Sequence, residues 1–383
     1  MPNTQSAILD VVFSQALQTL REYCVMPRLV NTDFANVPAG QGDTVNVRIP
    51  TAQAVSDVSP NQGPVTPVDN TYTAGSITLD RWRKAGFYLT DKERGELNGA
   101  QVPMQLQEAV KSLANDINSY LFSQYKKVWT SVGAPGTPVF DGVTWNAATT
   151  TLRSALSAMS TNVVPNADRR LALHPVSYSS ALGVEGFVLA NQRGQTGAIN
   201  DRALGRVMGL DWYEDQAVPG HASTALSAGA ATVNGVNASG AVSLSVAKAT
   251  NTSALIEGDI LTIASGPAAG QYVVKTAVTL AVGNTAVSIQ PPLRGATAGG
   301  ETITLLAPQN RVNLAFHRDA FHFASRPLTS DAAADLMRSV ADPVSGVALR
   351  MEMIRQNKQD YIEFDVLYGA TSFRPQLAVR ICD

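Results

Sequence analysis

The sequence predicts an α+β fold built in several parts, and three observations carry that reading. An extended, turn-rich arm runs into an unusually long amphipathic helix, strand and helix patterns then mix, and a nearly uncharged block of short alternating runs interrupts them. At 383 residues the chain can bury a substantial core and is expected to hold two or three domains.

The chain begins with an amphipathic stretch. Residues 6 to 22 place Ile8, Val11, Val12, Leu17 and Leu20 near helical spacing, and the pattern breaks at Pro27. In the arm that follows, Val45, Val47 and Ile49 alternate, and Ile77-Thr78-Leu79 through Phe87-Tyr88-Leu89 reads as the returning strand of the same hairpin. Between them, Thr51 to Gly75 carries Pro60, Gly63, Pro64 and Pro67 among Ser, Asn and Asp, which favours turns over ladder pairing. Arms of ~20 residues reach ~30 to 40 Å even at half extension, whereas a compact chain of this size has a radius of gyration near ~21 Å. The arm is therefore expected to project and to rest on a neighbouring copy; a surface loop with no partner is the alternative.

The long helix should start near Val102-Pro103, because proline suits a first helical turn. Leu106, Val110, Leu113, Ile117 and Leu121 fall three and four apart and form one apolar face. Carried to Val128-Trp129, it would span ~27 residues and ~40 Å. Lys126-Lys127 stand where cations favour the helix dipole.

A Gly/Pro/Thr stretch, Gly133 to Thr144, leads into the mixed region. There Leu152 to Met159 reads as a helix, Arg170 to Leu173 as a short buried strand and Pro175 to Leu182 as the start of a helix. From Val218 to Pro308 only Lys248, Glu257, Asp259, Lys275, Arg294 and Glu301 are charged. Alternating runs recur at 242–246, 260–263, 272–274, 287–289 and 303–305, which predicts a small β-barrel or sandwich. Pro219-Gly220 and Pro308 bracket it, so it reads as a domain inserted into another. Val312 to Phe316 then looks like a strand returning to the interrupted sheet, and Ser330 like an N-cap for a helix over Asp331 to Val340. Val347, Leu349, Met351 and Met353 alternate, Gln356-Asn357-Lys358 turns, and Ile362, Phe364 and Val366 alternate back.

Composition narrows the function. A net charge of −2 gives no global electrostatic reason to bind nucleic acid tightly. Charged residues make up 16% against roughly 25% in ordinary soluble domains, which predicts that partners cover part of the surface. Cys24 and Cys382 form no zinc or disulfide framework and fit a reducing cytoplasm. Met1 to Gln5 shows no basic region before an apolar core, and no run reaches the ~18 apolar residues of a membrane span, so neither secretion by that route nor membrane insertion is expected.

The sequence contains no nucleophile elbow, phosphate loop, dinucleotide fingerprint or His-Glu-x-x-His motif. No catalytic, cofactor-binding or metal-binding residue is expected. His174, His221, His317 and His322 read as packed or interfacial, the last two on opposite sides of one strand. Asp331 and Asp335 read as acids of a first helical turn. The residues picked for contact between copies are Asp57, Asp69, Arg81, Trp82, Arg83, Lys84 and Arg193. Arg81 to Lys84 mix cations with an aromatic and could touch nucleic acid, but along a strand they alternate sides, which favours acidic groups of a neighbour. Arg193 lies in the glycine-bearing stretch Gln192 to Gly197, expected at a subunit junction.

The order of parts resembles the major capsid proteins of tailed bacteriophages, the Hong Kong 97-type fold, and above all podovirus coat proteins whose α/β domain carries an inserted β-barrel. The stretch Asp360-Tyr361-Ile362-Glu363-Phe364-Asp365-Val366-Leu367-Tyr368-Gly369, with Arg374-Pro375-Gln376-Leu377-Ala378-Val379 after it, looks like their closing segment. Asn313 to Phe323 and Arg326-Pro327-Leu328 are also similar to them. The resemblance implies an N-terminal arm at 1–40, an extended loop at 41–90 overlapping an adjacent subunit, and a peripheral domain at 91–144 with its spine helix at 101–131. It further implies an axial domain at 145–217 and 309–340, the inserted barrel at 218–308, and C-terminal strands of the peripheral domain at 341–383. The implied function is self-assembly of hexamers and pentamers into an icosahedral shell in the host bacterial cytoplasm. The implied partners are a scaffolding protein, a portal protein and packaged double-stranded DNA held without sequence-specific binding. A virion decoration protein or adhesin that binds glycan or protein through the β-domain is the other reading, and an uncharacterised hydrolase or transferase a third.

Overall fold

The computed structural model describes residues 13–20, 23–33, 44–50, 55, 57, 72–92, 104–140, 145–189, 198, 201–223, 226, 231–306, 311–328 and 336–383. They divide into two compact units. The first comprises Met1–Glu22, Thr32–Leu113 and His322–Phe373, the second Tyr23–Asn31, Ala114–Phe321 and Arg374–Asp383.

The first unit is organised by an antiparallel sheet in the order His322–Arg326, Gln359–Thr371, Ala348–Gln356, Leu336–Ala341, with Arg81–Thr90 pairing along the other side of Gln359–Thr371. The turn expected at Gln356 to Lys358 is a two-residue turn, Asn357 (φ 50°) and Lys358 (φ 61°), both in the left-handed region that such hairpins demand, with Gln356 still paired to Gln359. One expectation fails here. Leu336 to Val340 are not helical; Leu336–Ala341 is a strand whose residues face Ala348 to Met353, so sheet pairing overrides a weak local helix signal. Ser330, Asp331 and Asp335 lie outside the described residues.

The arm hairpin pairs Thr44–Pro50 with Tyr72–Thr78, and its base is buried by Val45, Val47, Ile77 and Leu79 against Ala324, with Leu367 and Phe373 beside them. The returning strand, expected to run on from Ile77 to Leu89 as one half of the hairpin, is instead broken. It stops at Thr78, and Arg81–Thr90 joins the five-stranded sheet instead. Gly369 permits this crossing, since a Cβ there would lie 2.1 Å from the Thr78 carbonyl oxygen.

The long helix runs Met104–Ser123, 20 residues, or ~30 Å. All five residues of the expected apolar face are buried: Leu106, Val110, Ile117 and Leu121 completely, Leu113 to 4% exposure. The helix is shorter than expected, because Gln124–Lys127 tightens into a 3-10 turn, Val128 is extended and Ser131–Val132 is a strand. The turn delivers Tyr125 into a buried contact described below. On the amino-terminal side, Phe13, Ala16 and Leu20 form the buried face of the helix at 13–20, while Ile8, Val11 and Val12 lie outside the described residues.

The second unit contains a mixed six-stranded sheet in the order Ser131–Val132, Ala378–Cys382, Val312–His317, Arg169–Leu173, Leu210–Glu214, Arg206–Val207. Val312–His317 is antiparallel to both of its neighbours and fully buried, the strand expected to return to the interrupted sheet. Two expected boundaries move. The segment 309–340 divides at Phe321, because His322–Arg326 pairs with Gln359–Thr371. The segment 341–383 divides as well, because Ala378–Cys382 pairs with Val312–His317.

Between Leu210–Glu214 and Val312–His317 the chain leaves this sheet and builds a closed six-stranded barrel: Ile260–Ile263, Gly270–Val274, Gly283–Gln290, Ser243–Lys248, Ala231–Val233 and Thr302–Leu306, closing on Ile260–Ile263. Leu244, Val246, Leu261, Ile263, Tyr272, Val274, Val287 and Ile289 are among the side chains that fill it. The run at 242–246 and the four others all fall within or against its strands. The stem is zipped where the Val312 N–H donates to the Pro219 carbonyl at 2.9 Å.

Candidate assembly surface and barrel root

Two places gather polar side chains from distant parts of the sequence, one in each unit. In the first unit, the strand Arg81–Thr90 is a sheet edge whose residues Trp82, Arg83, Lys84, Gly86 and Tyr88 are exposed, Trp82 and Tyr88 to 66% each. The register sets Trp82, Lys84 and Tyr88 on the face that also carries Asp365, Glu363 and Tyr361 of Gln359–Thr371. Trp82 Nε1 donates to Asp365 Oδ2 at 2.7 Å, and Lys84 Nζ donates to Glu363 Oε2 at 3.1 Å. Arg350 approaches Asp365 from the opposite strand with both Nε (2.8 Å) and Nη2 (2.5 Å), and its Nη1 reaches Glu352 at 3.0 Å. The Asp365 carboxylate raises the Arg350 pKa through these bonds. Tyr361 stacks near Tyr88, ring centres 4.7 Å apart, and its hydrogen bond with Glu363 pushes the phenol up to about 12. Arg355 joins Asp91 (2.8 and 2.9 Å) to Asp360 (3.1 Å).

The expected contact residues thus fare differently. Trp82 and Lys84 find acids on their own chain, where the sequence reading put those acids on a neighbour. Arg81 is half-buried and Arg83 exposed. Asp57 is exposed, while Asp69 and Arg193 lie outside the described residues.

In the second unit, the root of the barrel holds a buried relay that sequence reasoning missed. Tyr125 Oη and His221 Nδ1 lie 2.8 Å apart, and His221 Nε2 and Asp259 Oδ1 also 2.8 Å. Asp259 Oδ2 accepts the Ile256 N–H at 2.7 Å. The His221 and Asp259 side chains are 1% and 0% exposed, so the relay is sealed from solvent. Arg380, wholly buried, donates through Nη1 to the Gly258 carbonyl at 2.7 Å and lies 5.0 Å from the Tyr125 ring centre. Burial drops its guanidinium to about 10 and raises the neighbouring Cys382 thiol to about 11, while the Cys382 sulfur sits 3.1 Å from Ser131 Oγ. Gln271 reaches from the barrel to Ser131, accepting its N–H at 2.8 Å and donating to its carbonyl at 3.0 Å. At the rim Lys126 lies 3.6 Å from Glu257.

The other histidines are structural in kind. His174 caps the helix Pro175–Ala181, its Nδ1 accepting from Val176 N–H, and burial lowers its pKa. His317 and His322 do not share one strand as expected, because the turn Arg318–Ala320 separates them. His317 Nδ1 accepts the Asp319 N–H. Ser177, which donates to Asp383 Oδ2 at 2.9 Å, contacts a carboxylate directly, an arrangement without a base between nucleophile and acid. Among the described residues no group of three or more His, Cys, Asp or Glu could hold a metal ion, and no helix is long and apolar enough to cross a membrane.

No protein-family model matches the chain, and no curated protein does. Solved structures do. A chain from Mycobacterium phage Che8 is 14% identical over 94% of this chain and 90% of that one, with a TM-score of 0.51. A chain from the capsid of cyanophage P-SCSP1u is 13% identical over 94% and 88%, with a TM-score of 0.52. At such identities the likeness is one of fold, and the resemblance to phage capsid proteins read from the order of parts is also a resemblance of structure.

Proposed function

We propose that this protein is the major capsid protein of a tailed bacteriophage, of Hong Kong 97-type fold, which assembles as hexamers and pentamers into the icosahedral shell around packaged double-stranded DNA. The observation that carries the reading is the likeness of fold to a cyanophage capsid chain across 94% of the sequence. A hairpin arm whose base is buried by Val45, Val47, Ile77 and Leu79, a long exposed edge strand and a charge content of 16% support it. In this reading the arm tip, with Asp57 and Asp69, overlaps a neighbour, and Arg81, Arg83 and Arg193 meet adjacent copies. The barrel is the inserted domain, and a scaffolding protein and a portal are partners during assembly in the bacterial cytoplasm. Many individually weak contacts made at once give a closed shell its stability, because effective concentration multiplies modest affinities. Heterologous contacts that close by rotation give rings, and five- and six-fold rings together give a shell.

Sedimentation velocity with negative-stain microscopy on the full chain, with and without a co-expressed scaffold, tests this. Closed megadalton shells or hexameric and pentameric rings are expected. A strictly monomeric species under every condition overturns the reading.

A further inference from the structure

The loop that leaves the helix Thr150–Thr161 holds one residue in a conformation its side chain resists. The helix ends in a doubly bonded cap: the Val164 N–H donates to the Met159 carbonyl and the Val163 N–H to the Ser160 carbonyl, both at 3.0 Å. Such a cap needs a left-handed residue at its turn, a position usually filled by glycine. Here it is Val163, at φ 57°, and a β-branched residue is a steric outlier there. Its side chain is 84% exposed, so packing within its own chain does not offset the strain. The loop is rigidly built all the same. Arg169, buried, donates through Nε to the Pro165 carbonyl at 2.8 Å and through Nη2 to the Val164 carbonyl, and Asn162 Nδ2 donates to the Gln376 carbonyl at 3.3 Å. From Ser154 to Ala167 no side chain is charged, so this surface can be covered without stranding a charge. A lone exposed valine is ordinary, but one held under strain on a preorganised, uncharged tip is built for contact.

A counterpart lies at the other end of the same helix. Trp145, whose carbonyl accepts the Thr149 N–H at 3.1 Å, lies across Gly186, where a Cβ would stand 2.2 Å from the indole, and meets Phe187 edge-on with ring centres 5.2 Å apart. It stays 41% exposed, and Leu189, on the same helical face as Gly186, 37%. The helix between the two places has 12 residues, or ~18 Å.

We propose that Val163 of one copy docks on the Trp145–Leu189 patch of a second copy, joining the two head to tail. A contact between unlike patches at opposite ends of one element is heterologous, and it closes into a ring where the rotation permits. The proposal rests on the shell reading above and names a contact within its rings.

The test uses the full chain carrying both Val163→Cys and Leu189→Cys, with each substitution alone as control. The two positions are too far apart for a bridge within one chain, and Cys24 and Cys382 are buried. Under mild oxidation the double variant should give a ladder of covalent oligomers on a non-reducing denaturing gel, and each single variant dimers at most. Val163→Gly supplies a second arm. It should raise the folding equilibrium constant by about fivefold through relief of strain, and weaken association in sedimentation velocity by about tenfold through loss of the apolar contact. Leu189→Ser should weaken association alike, and adding it to Val163→Gly should weaken it little further, because both remove one contact. No ladder from the double variant, or Val163→Gly chains that are more stable yet associate as before, overturns the proposal. A wild type that forms no shells while the ladder still appears defeats the capsid reading and leaves the Val163 contact standing.

Discussion

The polar contacts on the edge sheet of the first unit and those at the barrel root of the second differ in how much water they see. Lys84 and Glu363 meet with side chains 65% and 16% exposed, whereas His221 and Asp259 meet at 1% and 0%. A solvated pair contributes little when formed and costs little to exchange for another partner. A dry pair fixes one geometry, because breaking it strands a buried polar group. The solvated pair at the sheet edge can accordingly exchange partners at little cost, whereas the barrel root holds one geometry.

The comparison breaks first at Asp259. Asp259→Ala removes the acceptor of both His221 Nε2 and the Ile256 N–H, and a loss of about 3–5 kcal/mol is expected in equilibrium denaturation, the cost typical of breaking a buried charged network. Thiol labelling supplies an independent readout. Cys382 is buried with a thiol raised to about 11, so at pH 8 the native chain should react slowly there, and Asp259→Ala should speed the reaction through more frequent opening. A loss below about 1 kcal/mol would mean that the root is no more committed than an exposed edge.

Asp365 stands between the two regimes. It is buried, yet it serves Arg350 and the half-solvated Trp82. Asp365→Ala is expected to cost about 2–3 kcal/mol, less than Asp259→Ala because Arg350 keeps Glu352. Denaturant midpoints of the two variants, measured side by side, check the order.

The same contrast explains what could be read in the sequence. The spine face and the barrel strands were legible because burial imposes a period on neighbouring residues, and Leu106 to Leu121 or Val287 and Ile289 show it locally. The turn at Asn357-Lys358 was legible because its conformation limits residue choice. Tyr125, His221, Asp259 and Arg380 were not, since each is an ordinary residue until the fold brings four distant positions together. The strand Leu336–Ala341 was misread because its pairing with Ala348–Gln356, and not its own propensity, decides its state. For Trp82 and Lys84 the chemistry was anticipated, contacts with acids, but the acids, Asp365 and Glu363, stand on one strand of the same chain, because register along Gln359–Thr371 cannot be inferred from composition.

Lys84 offers the sharpest separation of stability from assembly. Lys84→Ala should change folding stability by about 0–1 kcal/mol, as for other exposed pairs. If the edge is where copies meet, Lys84→Glu should lower the yield of shells or rings in sedimentation velocity while its denaturation curve stays within about 1 kcal/mol of the wild type. Unchanged yields with Lys84→Glu would remove this strand from the contact surface and leave the barrel root's rigidity as the only half of the contrast still standing.

The smallest expected effect lies in alkali. Tyr361 keeps its proton to about 12 in the folded chain because its hydroxyl bonds Glu363, whereas an unfolded tyrosine ionises near its ordinary value of 10.0. Between those values the folded state holds more protons than the unfolded one, so this bond stabilises fully below pH 10 and its contribution fades as pH rises toward 12. Glu363→Gln removes the carboxylate, so Tyr361 should titrate closer to 10, and the slope of stability against pH in that window should flatten relative to the wild type. Tyr361→Phe must flatten it at least as much, because it deletes the titrating group itself, while Glu363→Gln leaves the contributions of burial and Tyr88. A wild-type slope that survives both variants would locate the alkaline sensitivity elsewhere and make the Tyr361–Glu363 contact as indifferent to folding as the solvated Lys84–Glu363 pair beside it.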